Sequence, residues 1–99
     1  MDKLEQYRVW IKQILTEYSR LKSSYGEIEE VVFFDDDRNH YQLFSVGWEN
    51  QRRVFGCTIH IDLIDGKIWI QHDRTEVGVA NKLVELGVPR VKSYWTISL

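Results

Sequence analysis

Residues 54–73 read Val54-Phe55-Gly56-Cys57-Thr58-Ile59-His60-Ile61-Asp62-Leu63-Ile64-Asp65-Gly66-Lys67-Ile68-Trp69-Ile70-Gln71-His72-Asp73. Asp65-Gly66 separates two alternating runs, and Asp-Gly suits a two-residue type I′ hairpin turn, which needs positive φ at both positions. With 65 and 66 as the loop, Ile64 faces Lys67. Leu63 then meets Ile68, Ile61 meets Ile70, and Ile59 meets His72 on one face. Asp62/Trp69 and His60/Gln71 fall on the other. A slip of one residue would turn every isoleucine to the opposite side, so the register is strongly specified. The result is a hairpin with an aliphatic face and a mixed face. By its residues alone it is a scaffold without visible chemistry.

Ninety-nine residues fit one domain with a modest core. Hydrophobic content of 43% and charged content of 28% are ordinary for a soluble globular protein. Four Trp, five Tyr and four Phe are more than such a core can enclose, so several belong near the surface. A formal charge of −2 argues against a domain that holds nucleic acid by itself, which usually carries a basic surplus. Cys57 is the sole cysteine, so an intramolecular disulfide is excluded, and its strand position reads as a buried structural thiol. No apolar run is long enough to span a bilayer, and Met1-Asp2-Lys3-Leu4-Glu5 lacks the apolar region of a signal peptide. The expected location is the cytoplasm.

Outward from the hairpin, residues 3–21 carry Leu4, Tyr7, Ile11, Ile14, Tyr18 and Leu21 in steps of three and four, with Trp10 and Leu15 broadening the stripe. This predicts an amphipathic helix lying on the sheet, with Asp2 as N-cap and Glu5 completing a capping box. Ser23-Ser24-Tyr25-Gly26 ends it. Residues 28–34 read as a first strand and residues 40–48 as a second. Between them Asp35-Asp36-Asp37-Arg38-Asn39 is a polar turn, without the spacing, central Gly or distal Glu of a calcium loop. Pairing Trp48 with Arg53 sets Val46 against Phe55 and Phe44 against Cys57, which by strict alternation join the isoleucine face. The mixed face then gathers Tyr41, Leu43, Ser45, Gly47, Val54, Gly56, Thr58, His60, Asp62, Trp69 and Gln71. After His72-Asp73-Arg74, Thr75 caps a second helix at roughly 76–86, with Glu76 near its start and Gly87 and Pro89 ending it. Tyr94-Trp95-Thr96-Ile97-Ser98-Leu99 suits a short edge strand. The expected fold class is α+β: an antiparallel meander of four or five strands, with an N-terminal and a C-terminal helix packed on one face.

The segments His40-Tyr41-Gln42-Leu43, Val46-Gly47-Trp48, Arg53-Val54-Phe55-Gly56-Cys57, Asp65 to Asp73 and Leu83-Val84-Glu85-Leu86-Gly87-Val88-Pro89 closely resemble the XisI family. The opening Met1 to Tyr7 and Ile14-Leu15-Thr16-Glu17-Tyr18 resemble that family's first helix. Its members are cyanobacterial controlling factors for excision of the fdxN element during heterocyst development. They typically occur beside XisH, a protein with a nuclease-like fold. The resemblance implies an accessory role in programmed DNA excision, with cutting and joining done by a separate recombinase. Residues 90–99 depart from the pattern, since relatives continue past Gly-Val-Pro with a longer, strand-like segment. The expectation is one XisI-like domain over 1–99 with an atypical, shortened segment at 90–99.

Chemistry is harder to find. A two-histidine, one-carboxylate metal site from His60, Asp62 and His72 fails on parity, because His72 points to the other side of the hairpin. His60 beside Gln71 is the better candidate, yet no convergent site surrounds it. Asp65-x-Lys67 echoes a nuclease signature, but the turn accounts for both residues. No catalytic residue, cofactor or metal is therefore expected. Arg52, Arg53 and Arg74 fall at one end of the meander, where they either hold an anion such as a DNA phosphate or form solvated rim charge. Tyr41, Leu43, His60, Trp69 and Gln71 would expose more aromatic surface than a monomer usually tolerates. Cover by the tail or by a second copy of the chain accounts for that; so does docking of a partner. The leading expectation is a non-enzymatic factor that binds an XisH-like protein through the mixed face. The alternative is a DNA or single-strand binder, with aromatics stacking bases and the arginines holding phosphates. A metal-dependent hydrolase centred on His60 comes last.

Overall fold

A computed structural model describes residues 3–21, 27–75, 78–88 and 94–96. The elements run α1 (Lys3–Ser19), β1 (Glu27–Asp35), β2 (His40–Glu49), β3 (Arg52–Ile64), β4 (Lys67–Asp73), α2 (Val79–Leu86) and β5 (Tyr94–Thr96). The sheet order is β1-β2-β3-β4-β5. The first four strands form the expected antiparallel meander, and β5 adds to its edge parallel to β4. The fold is α+β, with both helices on one face. The expected cap at Asp2, Glu76 near the start of the second helix, the helix end at 23–26 and most of the tail lie outside the described residues.

The hairpin turn forms as the sequence demands. Asp65 and Gly66 have φ of 53° and 72°, both in the left-handed region that a type I′ turn requires. Ile64 faces Lys67, Leu63 faces Ile68, and Ile61 faces Ile70. Tyr7, Ile11, Ile14 and Leu15 of α1 and Val79 and Leu83 of α2 close over Ile59, Ile61, Leu63, Ile68 and Ile70 to form the core. Leu21, expected in the α1 stripe, lies beyond the helix and is exposed.

Two register shifts change which residues share a face. Leu43 pairs with Ile59 but Phe44 pairs with Cys57, so Thr58 is an extra residue on β3. Likewise Ile61 pairs with Ile70 but His60 pairs with His72, so Gln71 is extra on β4. A bulge of this kind reverses the relation between face and residue parity on its strand. Tyr41 and Leu43 therefore stand opposite Ile61 and Ile59 and are enclosed in the core, 0% and 1% exposed. This overturns their expected place on the mixed face. Phe44, Val46, Trp48, Phe55 and Cys57, expected beside the isoleucines, go to the uncovered side. Cys57 is half-buried there, outside the core, and burial pushes its thiol pKa up. His72 is opposite His60 instead of Ile59, and Asp73 takes the place opposite Ile59. The Asp73 carboxylate then reaches the second helix. Its Oδ2 accepts from the Val79 backbone N–H at 2.7 Å, and its Oδ1 accepts from the Thr75 hydroxyl at 2.6 Å. Thr75 accepts from the Gly78 N–H at 3.2 Å, one step outside α2, so Asp73 supplies the end of the helix that Thr75 was expected to cap.

The acidic turn ties α1 down. Asp35 Oδ1 accepts from the backbone N–H of Asp37 and of Arg38, both at 3.0 Å. Asp36 accepts from Lys12 Nζ at 2.6 Å and from the Tyr41 hydroxyl at 2.9 Å. Arg8 donates to Asn39 Oδ1 at 3.2 and 2.9 Å. The hydrogen bond from Lys12 holds the Asp36 carboxyl below its ordinary range. Burial, then the bond to Asp36, pushes the Tyr41 phenol up to about 12.

Two outcomes follow from these contacts. Tyr41→Phe keeps the ring and loses one hydrogen bond, costing about 1 kcal/mol in urea unfolding. Because the folded phenol titrates above its ordinary value of 10.0, folding favours the neutral form. That contribution is complete below pH 10.0 and is lost as pH rises toward about 12, so the wild type weakens across this window more than Tyr41→Phe does. Ultraviolet titration of tyrosinate with parallel unfolding curves measures both effects. Face assignment is checked separately: Leu43→Ala should cost about 2–5 kcal/mol, whereas Phe55→Ser, at a side chain 69% exposed, should change stability by less than about 0.5 kcal/mol.

Candidate functional site on the open face of the sheet

With both helices on one side, the opposite face of β1–β4 carries no described helix. Its aromatic side chains form a chain of ring contacts across three strands. Phe33 of β1 meets Phe44 of β2 edge-on, with centroids 5.6 Å apart and planes at 87°. Phe44 in turn contacts Phe55 of β3 at 5.8 Å. Farther along, the Arg53 guanidinium lies over the Trp48 ring, 5.4 Å from its centroid. Phe33 is 53% exposed, Trp48 49% and Phe55 69%. Large aromatics this accessible, side by side on one face, form a contiguous apolar patch of the kind that marks interaction surfaces.

At the other end of the same face, three side chains converge. Asp62 is 6% exposed although it lies on the uncovered side. His40 Nδ1 is 2.6 Å and His60 Nε2 2.9 Å from the same oxygen, Asp62 Oδ1. Gln71 Nε2 donates to the other oxygen, Oδ2, at 3.3 Å. The ladder explains the convergence: His40 is directly opposite Asp62 across β2–β3, and His60 is two residues back along β3. Trp69 stands opposite Asp62 on β4 and is half-buried. A cavity of about 350 Å³ opens beside the histidines, bounded by Phe33, Phe34, Asp35, His40, Gln42 and His60.

The expected partner-binding set thus divides. His60, Trp69 and Gln71 are together on the open face, while Tyr41 and Leu43 are beneath the helices. Missing from that set were Phe33, Phe44, Trp48, Phe55 and His40. A two-histidine, one-carboxylate cluster does form, from His40, His60 and Asp62 instead of His60, Asp62 and His72. The second histidine comes from the neighbouring strand. His72, which the Gln71 bulge brings opposite His60, is not part of the cluster.

The expected arginine cluster does assemble. Arg52, Arg53 and Arg74 line one cavity of about 370 Å³ together with Glu30. Its floor is on the helix side of the sheet, where Glu30 accepts from the Ser45 hydroxyl at 2.8 and 2.9 Å and Ser45 and Thr58 share a hydrogen bond at 2.8 Å. The carboxylate in its wall reduces its attraction for an anion. Among the described residues, no helix is long and apolar enough to cross a membrane.

The XisI protein family model matches residues 1–93. A crystal structure of an XisI-like protein from Anabaena variabilis is 37% identical, with a TM-score of 0.81, over 93% of this chain and 84% of that one. The fdxN element excision controlling factor XisI from the same organism is 27% identical, with a TM-score of 0.78, over 95% of this chain and 91% of that one. No curated protein matches significantly. The chain, with its helix-backed meander and open aromatic face, belongs to the XisI family.

Proposed function

We propose that this protein is a non-enzymatic accessory factor in the control of DNA element excision, and that it works by binding a protein partner on the open face of the sheet. The family, and the neighbour described as an fdxN element excision controlling factor, support the excision role. The aromatic row Phe33–Phe44–Phe55, with Trp48 beyond it, is the observation that carries the binding mode. Aromatic side chains concentrate in interface cores because each buries a large area with few rotatable bonds. An XisH-like protein is the partner that the family resemblance implies, and DNA is then contacted indirectly.

Direct binding of DNA or single strands is the second reading, favoured by the cavity shared by Arg52, Arg53 and Arg74. Two features set it behind. The overall charge is −2, and the arginine cavity carries the Glu30 carboxylate in its lining, which opposes a phosphate. A homodimer through the open face is the competing use of the same surface.

Light scattering after size exclusion, on this chain alone and co-expressed with an XisH-like protein, distinguishes the three. The expected result is a mixed complex that Phe55→Ala and Trp48→Ala each weaken at least tenfold, with Trp69→Ala also weaker and the circular dichroism of all three unchanged. A self-dimer disrupted by the same substitutions would move the surface to self-association. Absence of a complex, with salt-sensitive DNA binding lost in an Arg52→Ala/Arg74→Ala variant, would establish the second reading instead.

A further inference from the structure

We propose that His40, His60 and Asp62 bind one divalent transition-metal ion of the zinc type on the open face of the sheet. The inference is independent of the partner-binding reading and goes beyond it. Each of the three residues offers one ligand atom, and these atoms all lie within 4.8 Å of one another. Nδ1 of His40 and Nε2 of His60 approach a single carboxylate oxygen, at 2.6 and 2.9 Å. Zinc bonds to imidazole nitrogen and carboxylate oxygen are about 2.0–2.2 Å, so a tetrahedral ion separates its ligand atoms by about 3.3 Å. Admitting the ion requires each nitrogen to draw back from Asp62 Oδ1 by less than about 1 Å. His40 can supply that movement, being 48% exposed at its side chain.

The scaffold is suited to the task. All three ligands come from adjacent strands in register, which fixes their separation better than loops would. Gln71 Nε2 holds the second carboxylate oxygen at 3.3 Å, the outer-sphere support that orients a ligating carboxylate. Asp62 is nearly buried, where a lone carboxylate is costly and a cation beside it offsets that cost. Donor chemistry then selects the cation. Two imidazoles with one carboxylate favour zinc and its neighbours in the transition series over calcium or magnesium, which want oxygen ligands. Three protein ligands leave a fourth position, and the cavity bounded by Phe33, Gln42 and the two histidines adjoins the site. Water or a donor group of a bound molecule can take that position. The hydrogen-bonded triad without metal is the competing account of the same geometry.

Isothermal titration of the tag-free, EDTA-treated full chain with zinc chloride decides between them, with cobalt(II) as a spectroscopic probe of the ligand set. The expected result is one zinc per chain at micromolar affinity or tighter, weakened at least tenfold in His40→Ala and in His60→Ala but unchanged in His72→Ala. Cobalt should show visible absorption bands of nitrogen and oxygen coordination that disappear in the same two variants. His40 is exposed, so His40→Ala is read on a folded protein, with circular dichroism as the check. Wild-type affinity no better than that of His40→Ala/His60→Ala would overturn the proposal. An equal loss in His72→Ala would also overturn it, showing binding to any surface histidine.

Discussion

Thr58 has no opposite number on β2, and that single unmatched residue decides which side chains the helices cover. Side chains alternate along a strand, so an extra residue exchanges inside for outside at every position beyond it. Below the bulge, Ile59, Ile61, Tyr41 and Leu43 turn toward α1 and α2 and make the core. Above it, Phe44, Phe55 and Cys57 turn the other way. The second bulge, at Gln71, acts locally: it delivers Asp73 to the helix side to receive the Val79 N–H, and leaves His72 on the open side.

Helix docking follows from the same arrangement. Tyr41 is anchored twice, by its ring in the core and by its hydroxyl on Asp36. Asp36 also receives Lys12 of α1, and Asn39 receives Arg8. The row of aspartates that invites a calcium reading is thus a set of acceptors for the turn and for the first helix. Its charge partners sit near the surface, where ion pairs contribute little. Most of the attachment energy therefore comes from Tyr7, Ile11, Ile14 and Leu15 beneath them.

On the open face, the aromatic and the polar features adjoin at Phe33. Phe44, Phe55 and Trp48 occupy the side of the bulge near the β2–β3 turn, the His40–Asp62–His60 cluster occupies the side near the Asp65–Gly66 turn, and Phe33, level with Gln42 and His60, borders both. One end provides contact area and the other a buried carboxylate with two imidazoles on it. A partner lying along the strands would meet both.

Much of this architecture was legible from the chain. Asp65-Gly66 specified the hairpin because few other pairs accept two positive φ values, and the heptad-like spacing from Leu4 to Tyr18 specified a helix with one apolar side. The strand pairings near each turn were legible for the same reason, and so was the family. The faces were not. Phe55, Cys57, Ile59, Ile61 and Leu63 alternate without interruption, so nothing within β3 marks the bulge. The only hint is on β2, where the apolar residues change from odd positions, Tyr41 and Leu43, to even ones, Phe44, Val46 and Trp48. Tertiary structure resolved that hint, because Tyr41 and Leu43 pack with Ile61 and Ile59 only if β3 carries one residue more. The meeting of His40 with Asp62 was decided the same way: they are 22 positions apart in the chain and become neighbours only through strand pairing.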